Sequence, residues 1–432
     1  MFNRRQFISS IGRPATAAAA MILINPLELL NIHKAAASLS STPEETAVDE
    51  MFWYKVQQAF SVDRSLVNLN SGGVSPSPTS VQDSMKRYLD YSNTAPVYSM
   101  WRILEPQREG VRKRLALFFG CDSEEIALTR NASEGLQICQ FGFDLEAGDE
   151  VLTTNQDYPR MITTWQQRER RENIVLKQFS LPIPAEDDDE VVELFAKNIT
   201  NKTKLILMCH MIFMTGQILP VKKVVRMARE KGIPVIVDGA HSFAHVDFEL
   251  NDLDCEYFAT SLHKWLYAPH GTGMLFVRKD KIADLWPMMA AAEKQDADIR
   301  KFEEIGTHPA ANYLAIADAL TLNEGIGIKR KEARLRYLRN YWVNKIKGNS
   351  QVKFHTSHKP QFSCGITTVQ IEGIEAAALT QFLWENYRII VTPITHPEFE
   401  GIRVSPNLFT TLQELDRFVD ALSFAIEKGI ES

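Results

Sequence analysis

The sequence predicts an α/β protein: a large, mostly parallel sheet covered by helices, followed by a smaller C-terminal α+β domain. Three observations predict it. From about Val67 onward, short apolar runs alternate with amphipathic helical stretches. Runs such as 204–211 (KLILMCHM) and 234–237 (PVIV) are apolar enough for strands buried on both faces. After about Leu338 the pattern shortens into a compact mixture of brief strands and helices.

The elements follow in order. Residues 1–37 read as a Tat-type export signal: Asn3-Arg4-Arg5-Gln6-Phe7-Ile8 precedes an alanine-rich apolar stretch, and Ala35-Ala36-Ala37 offers a small-residue cleavage site. Arg13 and Asn25 interrupt that stretch, which argues against an uninterrupted membrane span. The expectation is export, to a periplasmic location, of a chain with no membrane span once the signal is removed. Residues 38–66 form a linker and N-terminal segment, 67–325 the large domain and 326–432 the small one. Within the large domain a strand gives way to a helix near Ala132, and the acidic run 186–190 is a solvated loop entering a helix. Strand 204–211 is followed by helix 221–231, stopped by Gly232, and strand 234–237 ends directly on Asp238. Strands at 255–260 and 272–277 follow, the latter running into the charged turn 278–281. The basic stretch 329–339 is expected to form a solvated face of a long helix rather than an anion site. Strands at 363–371 and 388–392 flank a helix at 376–386, and a final helix covers 411–427.

Composition narrows the function. The 432 residues are 45% hydrophobic and 24% charged, with a net charge of −6 and interspersed signs. No basic footprint suggests a nucleic-acid partner, so a small-molecule partner is expected. Five scattered cysteines without a CxxC pair make neither a disulfide framework nor a metal site. No GxGxxG or Walker loop is present.

Three segments carry chemistry together. Val237-Asp238-Gly239-Ala240-His241 puts a carboxylate at the C-terminal end of a strand, where open α/β folds bind ligands. Ser261-Leu262-His263-Lys264-Trp265 follows one strand later, and Thr129-Arg130-Asn131-Ala132-Ser133-Glu134-Gly135 opens a helix whose free N–H groups suit a phosphate. A fixed carboxylate beside a water-shielded lysine is what pyridoxal 5'-phosphate requires. Asp238 would keep the pyridine nitrogen protonated, and Lys264 would be neutral often enough to form the Schiff base and then act as base at Cα.

The segments TRNASEG, VDGAHSFAHVDF and TSLHKWLYAPHGTGMLFV resemble the class V aminotransferase superfamily, and within it the isopenicillin N epimerase-like branch more than the cysteine desulfurases. The resemblance covers nearly everything from Asn68 to Leu422. It implies PLP fold type I, with a large seven-stranded sheet domain and a small C-terminal domain, working as a homodimer with active sites at the interface. Carried onto this chain, it makes Lys264 the cofactor's covalent anchor, Asp238 the pyridinium partner and His241 the partner of the phenolic oxygen. Ala132, Ser133, Ser261 and His263 fall where phosphate ligands occur, and Thr307 where a residue reaches the neighbouring subunit's phosphate. Tyr158 takes the position that stacks on the pyridine ring. Arg403 takes that of the arginine holding the substrate α-carboxylate.

Desulfurases carry a nucleophilic cysteine on a loop shortly before that arginine; residues 392–401 (TPITHPEFEG) contain none, and Cys364 lies earlier, inside an apparent strand. The expected activity is therefore a PLP-dependent epimerisation or racemisation at Cα of an amino acid, with His210 or His263 as second acid/base. A β-eliminating or C–S lyase, or a transaminase, is the alternative enzyme, and a catalytically inert PLP-binding protein the alternative outside enzymes. Residues 68–73, 91–102 and 308–312 are expected to shape the substrate pocket.

Overall fold

The computed structural model describes residues 41–430 together with Ile32, Lys34 and Ala36. The expected export signal therefore lies, apart from those three positions, outside the described residues. Among these residues no helix is long and apolar enough to cross a membrane.

A short strand β1 (Val67–Asn68) opens the body of the fold. The main sheet is built from β2 (Ile126–Thr129), β3 (Glu150–Thr154), β4 (Val175–Phe179), β5 (Thr203–Cys209), β6 (Val235–Asp238), β7 (Tyr257–Ser261) and β8 (Gly273–Val277). Its seven strands run in the order β2-β8-β7-β6-β5-β3-β4. Every pairing is parallel except the two made by β8. β5 to β8 are apolar along nearly their whole length because helices bury both faces of the sheet.

That topology aligns the C-terminal ends of β2, β5, β6 and β7 on one edge. Cys209 is opposite Asp238, which is opposite Ala259, while Thr129 and Ser261 both flank Gly273. Two glycines allow the edge to close up. A Cβ on Gly239 would lie 1.9 Å from Phe258 Cζ, and one on Gly273 2.6 Å from the Asn131 backbone. Both are contacts that no real side chain tolerates.

The small domain holds β9 (Val352–Phe354), β10 (Thr367–Ile371), β11 (Ile389–Ile390), β12 (Thr392–His396) and β13 (Phe399–Val404). Four of them form an antiparallel sheet, β12-β13-β10-β9, with its own apolar core under helices Ile328–Ile346, Ala376–Tyr387 and Leu412–Lys428. β1 pairs in parallel with β11, so the chain approaches the active edge from the small-domain side. Two strand readings change. The expected strand at 363–371 begins only at Thr367, leaving Cys364 in a bend before it. The expected strand at 388–392 is split into β11 and the start of β12, and β12 forms a β-hairpin with β13, paired from Thr392↔Arg403 to His396↔Phe399.

Candidate active site

The aligned strand ends enclose a cavity of about 320 Å³, lined by Lys264, Asp238, His241, Ala132, Ser133, Tyr158, Ser261 and His263 among others. Eight of the ten residues singled out in the sequence thus meet in one place. Asp238, the last residue of β6, is buried, and its Oδ1 accepts the Ala240 N–H at 2.9 Å. Burial pushes its carboxyl up to about 6; the Ala240 hydrogen bond and the Lys264 charge pull it down, and Asp157 adds repulsion. A carboxylate held this way gains strongly from a cation brought against it.

Lys264 stands on the turn after β7. Burial pulls its amine down to about 8, Asp238 opposing and Arg403 assisting. Its Nζ lies 3.1 Å from Nε2 of His241. His241 is itself buried, and desolvation followed by the Lys264 and Arg403 charges holds its imidazole neutral. Its Nδ1 has no partner among the described residues.

The opposite end of the cavity is built for an anion. Asn131 caps the helix Ala132–Gly142, its side chain accepting from Glu134 N–H. The Ala132 N–H is given to Ser261 Oγ at 2.9 Å, so the Ser261 hydroxyl hydrogen is free to donate outward. His263 lies beside it, Nδ1 donating to Thr272 O at 3.0 Å, and burial pulls its imidazole down to about 4. A helix start, two serine hydroxyls and a neutral histidine at one end, with a buried carboxylate and a suppressed lysine further in, fit the phosphate, ring nitrogen and aldehyde of pyridoxal phosphate. Tyr158 forms a wall, its ring edge-on to Phe213 at 5.4 Å.

Arg403 comes from the small domain, on β13. It is buried against Gly72, where a Cβ would lie 3.3 Å from its Cζ. Nη1 donates to Phe213 O at 3.0 Å, Nη2 to Asn70 Oδ1 at 2.9 Å and Thr392 Oγ1 at 3.4 Å, while Nε has no partner. These partners are all neutral, and among the described residues no carboxylate pairs with it. Burial pulls its guanidinium down to about 10.

Thr307 falls elsewhere. It is exposed, in a separate cavity with Arg108, Arg112 and Glu303, and does not line the Lys264 cavity of its own chain. His210, a candidate acid/base, does not line the cavity either: its ring packs edge-on against Phe248. It follows Cys209, which does line the cavity, and adjacent residues at a strand end point to opposite faces. Cys364 is fully buried, its thiol pushed up to about 12 by desolvation, unlike a mobile nucleophile. Sequence reasoning missed Phe213 and Thr392 and placed Asn70 only within the pocket-shaping stretch 68–73. Nothing local marks a carbonyl or an amide as the partner of an arginine far along the chain.

Comparison with known proteins identifies the family. The Aminotransferase class-V family matches residues 67–418. An isopenicillin N epimerase of Amycolatopsis lactamdurans is 29% identical over 86% of this chain and 98% of its own length. A probable cysteine desulfurase of Halalkalibacterium halodurans is 26% identical over 72% and 78%. The solved cysteine desulfurase of Thermococcus onnurineus NA1 superposes with a TM-score of 0.76 at 20% identity, covering 87% of this chain and 98% of that one, which shows the shared type I fold. The chain therefore belongs to the class-V aminotransferase family, and its cofactor is pyridoxal 5'-phosphate.

Proposed function

We propose that this enzyme exchanges the Cα proton of an amino-acid substrate, as an epimerase or racemase of the isopenicillin N epimerase type. The observation that carries the reading is Arg403: a buried guanidinium with neutral partners and an unused Nε, close enough to Lys264 to depress its amine. A buried cation left uncompensated is costly unless an anion arrives, and the substrate α-carboxylate is that anion.

Bound pyridoxal phosphate supplies the electron sink for charge developing at Cα. The chain's residues do the rest. Arg403 Nε fixes the carboxylate and so orients the Cα–H bond, while Asp238 holds positive charge at the ring nitrogen. Lys264 Nζ takes the Cα proton from one face, His241 Nε2 keeps that amine in place, and inversion requires a proton donor on the opposite face. Of the two histidines expected as second acid/base, His263 lines the cavity and His210 does not, and His263 sits at the phosphate end. The hairpin β12–β13 without a cysteine, together with the buried Cys364, supports proton exchange over persulfide chemistry.

Two finer readings belong with this one. Exposed Val97, Tyr98 and Trp101, the last lining the Thr307 cavity, support a homodimer across that face. The Arg4-Arg5 start supports Tat-type export to the periplasm. Incubation with candidate amino acids in deuterated water tests the reaction. Cα deuterium with loss of optical purity supports it; pyruvate with ammonia would replace it with a lyase, and dependence on an amino acceptor with a transaminase.

A further inference from the structure

We infer that His245 is a positioning residue that sets the Lys264–His241 pair and ties it to the small-domain strands carrying the substrate-binding arginine. The inference rests on Lys264 as the cofactor anchor and not on which reaction follows.

His245 lies one helical turn's length after His241, in the buried turn that follows β6, and is fully buried. Both of its ring nitrogens are used, in opposite senses. Nδ1 lies 2.8 Å from His241 O, and since a carbonyl only accepts, Nδ1 donates. Nε2 accepts the Gly365 N–H at 2.9 Å. The ring is therefore held as one neutral tautomer, because protonating Nε2 would forfeit the Gly365 bond. Burial pulls the imidazole down to about 3, the bond to His241 O opposing and the Lys331 and Arg336 charges assisting. Ala244, immediately before it, is held at φ +57°, a conformation that a non-glycine residue adopts only where its surroundings impose it.

The ring face completes the arrangement. It stacks on Trp265, centroids 3.6 Å apart and planes 18° from parallel, and Trp265 directly follows Lys264. Trp265's own carbonyl is held by the buried Lys331 amine. One imidazole thus touches the backbone of the lysine's hydrogen-bond partner, the side chain next to the lysine, and the segment leading into β10. A Cβ on Gly365 would sit 3.0 Å from Nε2, so a side chain there would press on the ring. From Gly365 the chain enters β10, where Thr368 pairs with Arg403. The same ring therefore connects the cofactor anchor in one domain to the carboxylate anchor in the other.

The two hydrogen bonds can be separated by mutation. His245→Asn places an amide N–H near the Nδ1 position and keeps the donor to His241. His245→Gln places an acceptor near Nε2 and keeps the Gly365 bond. The measurement is the pH midpoint of the visible absorption of bound cofactor, with thermal midpoints and cofactor retention recorded beside it for wild type, both variants and His245→Ala. The expected result is a midpoint displaced by about half a unit or more in His245→Gln and His245→Ala, and largely restored in His245→Asn. kcat should fall about tenfold in the two displaced variants, with KM changing less. Variants that lose thermal stability while keeping the wild-type midpoint would reduce His245 to a packing residue and overturn the inference. Equal displacement in all three would overturn the role assigned to the His241 contact. Lys264→Ala, run alongside, separates these outcomes from failure of the anchor itself, since only that failure leaves its absorption at the wild-type position.

Discussion

Lys264 and Asp238 are both moved from their ordinary ionisation chiefly by burial, in opposite directions: the amine down to about 8, the carboxyl up to about 6. Each shift is a statement about pH. In the cofactor-free protein Lys264 is neutral above about 8 when folded but, at its ordinary 10.5, stays protonated to higher pH when unfolded. Between those values the unfolded state binds more protons, so stability rises with pH across that window. Apo wild type should therefore close a stability gap relative to apo Lys264→Met as pH climbs from 8 toward 10.5, measured by urea titration; a constant gap would deny the suppressed amine. Lys264→Ala should lose or displace the yellow band that resists dialysis in wild type, checked by absorption after reconstitution. Arg403→Lys keeps the charge but loses the planar fork. Its kcat/KM should drop by about 10- to 100-fold, the ~1.5–3 kcal/mol of a charge-assisted hydrogen bond, with cofactor retained. A steady-state comparison of kcat/KM, with bound cofactor quantified, checks it.

At the scale of elements, close approach of backbone to side chain decides the architecture of the site. β6 ends in Asp238-Gly239 with the Phe258 ring of β7 against the glycine. Gly239→Ala should cost about 1–3 kcal/mol or more by overpacking and lower cofactor affinity, because the shift propagates to Asp238. Urea unfolding and a cofactor titration measure the two effects. The hairpin β12–β13 is fastened by its turn: Glu398 accepts from Asn155 Nδ2 at 3.2 Å and from the Ser180 hydroxyl. His396 Nε2 adds a contact to Asn155 O at 3.2 Å. The small-domain hairpin is thus braced by Asn155 and Ser180 of the large domain.

Across the whole molecule, an ion cluster supports the region that holds Thr307. Glu303 accepts from Arg108 at 2.7 Å, from Arg112 at 2.5 Å and from the Leu128 N–H of β2 at 2.6 Å. The side chains are nearly covered, 8% and 1% exposed for the two arginines and 8% for the glutamate. Removing one member of such a buried set leaves uncompensated charge. Glu303→Ala should cost about 3–5 kcal/mol, read as a lowered thermal midpoint, whereas exposed Lys86→Ala should cost less than about 1 kcal/mol.

The sequence by itself determined the fold class, the strand ending at Asp238, the turn bearing Lys264 and the helix start at Ala132. Each is written in local periodicity and punctuation, within reach of a few neighbouring residues. Family motifs added the roles of Tyr158 and Arg403 without their surroundings. Only the tertiary structure decided that Arg403 has neutral partners, that His210 points away from the cavity while His263 lines it, that residues 392–401 fold as a hairpin, and that His245 joins the two domains. Those facts depend on which strand ends share a sheet edge and on which face a side chain leaves its strand. Pairing order and register are set by contacts between residues far apart in the chain, so no local pattern around Asn70, Phe213 or Gly365 encodes them.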